Sequence, residues 1–407
     1  MQVRKRFTMR RTRAALIAVA VGVATLASAC GGAGNAGGGD GTYKIGALLG
    51  LTGSYAALGE QSQKAINLYV EKINAAGGIN GRKLEVVFAD TTSSESEAVN
   101  QLRKLVTQDK VLAVVGPNSS GESIAVKPIS LSLRTPVIAL ASSDSIITPA
   151  DQAKYIFKHF PSTEDSLRAQ LEYAKSQSWT KVAILAANNG YGQEPLRLLP
   201  KVINEYGLQL VASETFPPNA TDMSAQLSSI ARTQPDVLLV WAVNPANAIV
   251  AKNAKDIGFK AKLFHSPGGG TPLYVQTAKG ATEDTLVQGS KIAAPDQIEP
   301  SDRQYKVIQD FVSAYRSKYG SLPDQFASNG WDGMTLITAA LEKAQVNPGN
   351  VQQARDKLRE SLENNIKDFA GVNAIYSFNA DWHGPRGIEG LAVLGVRDQK
   401  FTLVKAY

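Results

Sequence analysis

The sequence predicts an α/β protein made of two doubly wound, parallel-sheet units. Three observations point there. Short apolar runs alternate with longer segments of helical period, the alternation breaks after Thr148 and starts again, and 407 residues suffice for about two or three domains.

Residues 43–50 (YKIGALLG) read as a strand buried on both faces, because the run is almost continuously apolar. Residues 57–75 follow with Ile66, Val70 and Ile73 at helical spacing, and Gly77 and Gly78 stop the helix. A strand over 84–89, a helix over 94–108 carrying Ala98, Leu102 and Leu105, a strand over 111–116, a helix from 121 to about 133 and a strand over 136–140 complete a βαβα series. Ligands of such sheets gather at the carboxyl ends of the strands. The second series places helices over 163–178, 193–206, 222–233 and 245–257, with strands over 181–186, 209–214, 236–241 and 262–266. The remainder is mainly helical (302–319, 326–344, 351–364) and ends in two strand-like pieces, 371–378 and 390–404. That is too little alternation for a third sheet domain, so these parts complete the first two.

The formal charge is +7, but Arg4, Lys5, Arg6, Arg10, Arg11 and Arg13 supply six of the positive charges, and no acidic residue precedes Asp40. The body is therefore close to neutral, without a basic run able to track phosphates, and no nucleic-acid partner is expected. After the basic start come sixteen uncharged, largely apolar residues ending in Ala27-Ser28-Ala29, directly before the single cysteine, Cys30. Residues 1–29 read as a signal peptide. Ala-Ser-Ala-Cys resembles a bacterial lipobox, with Leu26 one place earlier than the common pattern, so Cys30 is the expected lipidation site and 30–41 a Gly-rich tether. The expected location is the outer face of the bacterial cell membrane. A lone cysteine excludes an intramolecular disulfide and a cysteine-based zinc site. The tether holds a formal GxGxxG, Gly32 to Gly37, which lacks the preceding strand and following helix that would give it a pyrophosphate.

Several stretches resemble one family in order and spacing: Leu51-Thr52-Gly53 through Gly59, Ile73 through Leu84, Gly116-Pro117-Asn118-Ser119-Ser120-Gly121, Asn189-Gly190-Tyr191-Gly192, and the closing Ile375 to Phe378. From Thr42 to Val404 the chain is similar to the branched-chain (Leu/Ile/Val) amino-acid-binding branch of type I periplasmic binding proteins, the substrate-binding lipoproteins of ABC importers. The resemblance implies a Venus-flytrap fold with a three-segment hinge. It assigns residues 42–161 with 291–369 to lobe one and 162–290 with 370–407 to lobe two.

The resemblance also implies a site. Ser120 and Ser143 match carboxylate-binding hydroxyl positions, Ala141 and Ser142 supply backbone contacts, and Tyr191 reaches across from the other lobe. Fixed dipoles at strand and helix ends suit an anion, and each charge-assisted hydrogen bond contributes about 1.5–3 kcal/mol. Trp241 and Trp331 are candidates for pocket walls or core. The sequence departs from amino-acid-binding members in three places: Gly268 stands where an acid would neutralise an ammonium, Val243 where a tyrosine is expected, and Leu58 where some members carry another tyrosine. A buried ammonium without a counter-charge is costly. Either Asp144 or Asp332 turns inward, or the ligand is a fairly apolar or aromatic carboxylate without an α-ammonium. No cofactor, metal or catalytic residue is expected: GxxxxGK[ST], HExxH and GxSxG are absent, and His159, His265 and His383 are scattered, with His159 and His383 read as structural or exposed. The expected function is capture of a small carboxylate and delivery to ABC permease subunits, by a protein acting as a monomer. A sensory receptor of the same fold is the alternative, and a secreted enzyme a remoter one.

Overall fold

The computed structural model describes residues 41–407. The signal peptide, Cys30 and all but the last residue of the tether lie outside the described residues. Among the described residues no helix is long and apolar enough to cross a membrane.

Five strands form the first sheet: β1 (Tyr43–Leu49), β2 (Leu84–Asp90), β3 (Ala113–Val115), β4 (Val137–Ala139) and β5 (Ile156–Lys158), in the order β2-β1-β3-β4-β5 and all parallel. The apolar run at 43–50 is indeed β1, central and buried on both faces. Three intervening helices, Ala56–Ala75, Glu95–Thr107 and Ser120–Ser132, occupy the expected places. Side-chain caps start the last two: Ser94 Oγ accepts from the Glu97 N–H, and Ser119 Oγ from the Glu122 N–H.

The second sheet contains β6 (Lys181–Ala187), β7 (Gln209–Phe216), β8 (Val237–Trp241), β9 (Lys262–His265) and β10 (Leu286–Ser290). A small hairpin, β11 (Phe369–Ala370) with β12 (Ile375–Tyr376), precedes β13 (Leu391–Arg397) and β14 (Lys400–Ala406), and these last two join the second sheet in the order β14-β13-β10-β9-β8-β6-β7. This sheet is mixed rather than wholly parallel: β13 runs antiparallel to both β10 and β14. The expected single piece 390–404 folds back on itself through Asp398 and Gln399, both at positive φ (51° and 57°), the conformation a two-residue hairpin turn requires.

Helices Tyr305–Tyr319, Gln325–Ala344 and Val351–Asn365 pack on the first sheet, where Ile308, Phe311, Met334, Ile337 and Leu358 share a core with Ile45 and Val115. Val372, Tyr376 and Phe378 pack into this same core. That stretch thus sides with the first half of the molecule, whereas the resemblance gave residues from 370 onward to the second. The cause is Asp332 on the long helix, which accepts from the N–H groups of Val372 and Asn373 and from the Tyr376 hydroxyl at 2.8–2.9 Å.

Candidate ligand-binding site

Strand ends from both sheets converge on a partly open cavity of about 660 Å³, part of it open to solvent. From the first half, the capped helix that begins at Ser120 presents that residue to the cavity; it is 3% exposed, and its Oγ has no hydrogen-bond partner. Ala141 and Ser142, just past β4, also line it. Among the described residues their backbone N–H groups meet no protein acceptor. One buried hydroxyl and two free amides therefore face the same space, an arrangement that favours a carboxylate.

Tyr191 arrives from the second half. Its loop is set by Asn189, whose Oδ1 accepts from the N–H groups of Tyr191 and Gly192 at 3.1 and 3.0 Å. Gly192 is required there, since a Cβ would lie 2.0 Å from the Ala187 carbonyl oxygen. The Tyr191 hydroxyl accepts from the Gly268 N–H at 3.4 Å, and burial pushes its pKa up, so it is a neutral phenol with a proton to donate.

Of the residues singled out in the sequence, Ser120, Ala141, Ser142, Tyr191, Val243 and Gly268 line this cavity, together with Leu58. Ser143, Trp241 and Trp331 do not. Ser143 is wholly buried, its Oγ accepting from the Ser145 N–H at the start of the following turn. Trp241, the last residue of β8, is fully buried behind Tyr191 with ring centroids 5.8 Å apart. Trp331 is core, edge-on to Tyr69 at 4.9 Å and against Phe311 at 4.7 Å.

Neither proposed counter-charge turns inward. Asp144 is held by the fully buried Lys158, whose Nζ donates to it at 2.7 Å and to the Ser142 carbonyl at 2.8 Å. Asp332 is committed to the 372–376 stretch, burial raising its pKa to about 6. Nor is Gly268 a vacancy that an acid could fill: a Cβ there would sit 2.1 Å from the Ala242 carbonyl oxygen. The carboxylate that does reach the cavity is Glu95, an exposed residue whose Oε1 lies beside Gly121.

Sequence reasoning missed Glu95, His159, Phe160 and the helix-borne Gln325, Phe326 and Asn329. His159 follows β5 directly. Its backbone N–H and its Nδ1 both approach the Ala139 carbonyl, at 3.2 and 3.1 Å. A carbonyl only accepts, so Nδ1 carries the proton and Nε2 a lone pair. Burial lowers the pKa to about 4, against 6.5 in an unfolded chain. The unfolded chain therefore binds a proton that the fold refuses, and stability present above pH 6.5 is lost as pH falls toward 4, by roughly 3 kcal/mol. Urea midpoints of the wild type and His159→Phe, compared from pH 7 to pH 4, should show the wild type losing more on acidification by about this amount.

The comparisons agree with this architecture. Residues 42–400 match the model of the periplasmic binding protein family. The Leu/Ile/Val-binding protein homolog 7 of Brucella melitensis is 26% identical over 381 residues, which cover 89% of this chain and 91% of that protein. An extracellular ligand-binding receptor from Rhodopseudomonas palustris HaA2 has the same fold, with a TM-score of 0.83 at 23% identity, covering 89% of this chain and all of the other. The branched-chain amino acid transporter substrate binding protein LivJ from Streptococcus pneumoniae, solved with isoleucine, superposes with a TM-score of 0.77 at 27% identity, over 90% of this chain and 100% of its own. With two sheets, a shared cavity and a family match over nearly the whole described chain, the protein belongs to the periplasmic binding protein family and has its type I fold.

Proposed function

We propose that this protein captures a small carboxylate-bearing ligand, an amino acid or an aliphatic or aromatic acid, between its two halves and delivers it to the permease of an ABC importer. In this reading the protein acts as a monomer at the outer face of the bacterial cell membrane, tethered through a lipid on Cys30. The two lobes close about the three crossings of the chain, with residues to Phe378 moving with the first. The observation that carries the reading is the buried, unpartnered Ser120 Oγ in a cavity that Tyr191 closes from the opposite half. Ser120 and the amides of Ala141 and Ser142 hold the carboxylate, Tyr191 donates to it from across the cleft, and Val243, Leu58, Phe160 and Phe326 surround the tail.

A thermal-shift screen of amino acids, aromatic acids and short fatty acids against the refolded protein tests this. At least one carboxylate should raise the melting temperature and be recovered unchanged. Ser120→Ala should weaken that ligand about tenfold or more, as removal of one charge-assisted hydrogen bond requires. Conversion of the ligand into a product would replace this reading with an enzymatic one.

A further inference from the structure

Two residues that line the cavity each carry a buried side-chain atom without a hydrogen-bond partner: Ser120 its hydroxyl, and His159 its Nε2. The first is able to donate. The second cannot, because Nδ1 holds the ring's one proton against the Ala139 carbonyl. His159 is fully buried, and a turned ring would give up the bond from Nδ1 to that carbonyl. Asn329 also lines the cavity and favours a protonated ring, yet it makes no hydrogen bond of ordinary geometry with Nε2, and its Oδ1 is taken by Asn373 Nδ2 at 3.2 Å. No side chain of the described protein therefore donates to this nitrogen.

We infer that His159 Nε2 is a specificity-determining acceptor: it receives a hydrogen bond from an N–H or O–H group of the ligand, and so selects acids with such a donor over otherwise identical acids without one. The inference deepens the proposed function and rests on it. A buried acceptor satisfied by water in the open cavity loses that partner when a ligand fills the space, and a ligand without a donor leaves it unpaired. The neutral imidazole supplies no counter-charge, so an ammonium and a hydroxyl are both admissible donors. Charge discrimination between them falls to Glu95 at Gly121.

Calorimetric titration of the purified protein with two matched sets tests the inference. One set is leucine, 2-hydroxy-4-methylpentanoate and 4-methylpentanoate. The other is phenylalanine, 3-phenyllactate and 3-phenylpropanoate. In whichever set binds, a donor-bearing member should bind about tenfold or more tightly than the member lacking the group, and the tighter of the ammonium and hydroxyl arms identifies the source of the donor. His159→Phe should bring the ratio to about one, and His159→Gln, which keeps an acceptor, should restore part of it. The ¹⁵N resonance of Nε2 should move with the donor-bearing acid and not with its counterpart. Equal affinities within a binding set, or an unchanged ratio in His159→Phe, would overturn the inference and leave capture of carboxylates standing. Should His159→Phe not fold, the wild-type ratio and the Nε2 resonance decide alone. Failure of every acid in both sets, and of every carboxylate in the thermal-shift screen, to bind would overturn the proposed function and this inference with it.

Discussion

Lys158→Met will lower the stability of the ligand-free protein by about 3–5 kcal/mol, the range for breaking a buried ion pair by removing one partner. Lys158 has no exposed surface, and its ammonium is spent on the Asp144 carboxylate at 2.7 Å and the Ser142 carbonyl at 2.8 Å. Methionine fills most of the space but leaves Asp144 with a charge and no cation. Burial already holds the Asp144 pKa above its ordinary value, with Lys158 opposing the rise, so loss of the lysine must raise it further. The penalty is therefore greatest at neutral pH and shrinks as pH falls and Asp144 takes up a proton. Urea denaturation at pH 7 and pH 5 measures both parts. The double variant Lys158→Met, Asp144→Leu should recover much of the loss, because an apolar replacement of both partners is often neutral. A single variant as stable as the wild type would mean that this pair does not hold the loop carrying Ala141 and Ser142.

Glu194→Ala is expected to weaken ligand binding by about a hundredfold, corresponding to roughly 2.7 kcal/mol. Glu194 sits on the helix Gln193–Val202, which follows β6 of the second sheet, and it is nearly fully buried. Within its own half it accepts from the Thr163 hydroxyl at 2.8 Å. Across the cleft its carboxylate accepts from the Asp144 N–H at 2.7 Å, and from the N–H and hydroxyl of Ser145 at 3.1 Å. Three of its five charge-assisted bonds, the fifth coming from Arg197 on its own helix at 3.4 Å, thus tie the halves together beside the cavity, where Gly190 also lies against the Gly121 backbone. Their loss should raise the radius of gyration of the protein in small-angle scattering and reduce affinity in calorimetry, with little change in the far-ultraviolet spectrum. If neither measurement moves, the bridge does not contribute to holding the two halves together.

The same residues show how much of this was legible before the structure. Long elements with a clear period were read correctly, as with β1 and the helix at Ala56–Ala75, because burial on both faces or on one stripe leaves a pattern in the chain. Three-residue β5 left no such pattern between Pro149 and Pro161, and β10 was missed because Gln288 and Gly289 interrupt its apolar run. In the cavity, Ser120, Ala141 and Ser142 stand where the family resemblance put them, at the ends of strands that were themselves legible. His159 reads in the sequence as structural or exposed, because the segment before it looks helical there and is strand β5 in the fold. Gln325, Phe326 and Asn329 come from a helix well over a hundred residues further along, and nothing local in the sequence brings them to Ser120. The two tryptophans, left open in the sequence between wall and core, are core: large aromatic surface is as useful to a core as to a ligand, and here Tyr69, Phe311 and Tyr191 pack against it.

The first core draws Ile45 and Val115 from one end of the chain and Ile308, Ile337 and Phe378 from the other. During synthesis, β1 to β5 are thus complete long before the helices that cover one face of their sheet exist. Until roughly residue 365 has been made, that face is covered only in part, by Ala65, Ile66 and Tyr69 of the first helix, and the earlier strands cannot settle into their final packing. Folding of this half is therefore an event of the nearly finished chain, and a polypeptide cut short before residue 305 should be prone to aggregation and proteolysis rather than form a smaller stable domain.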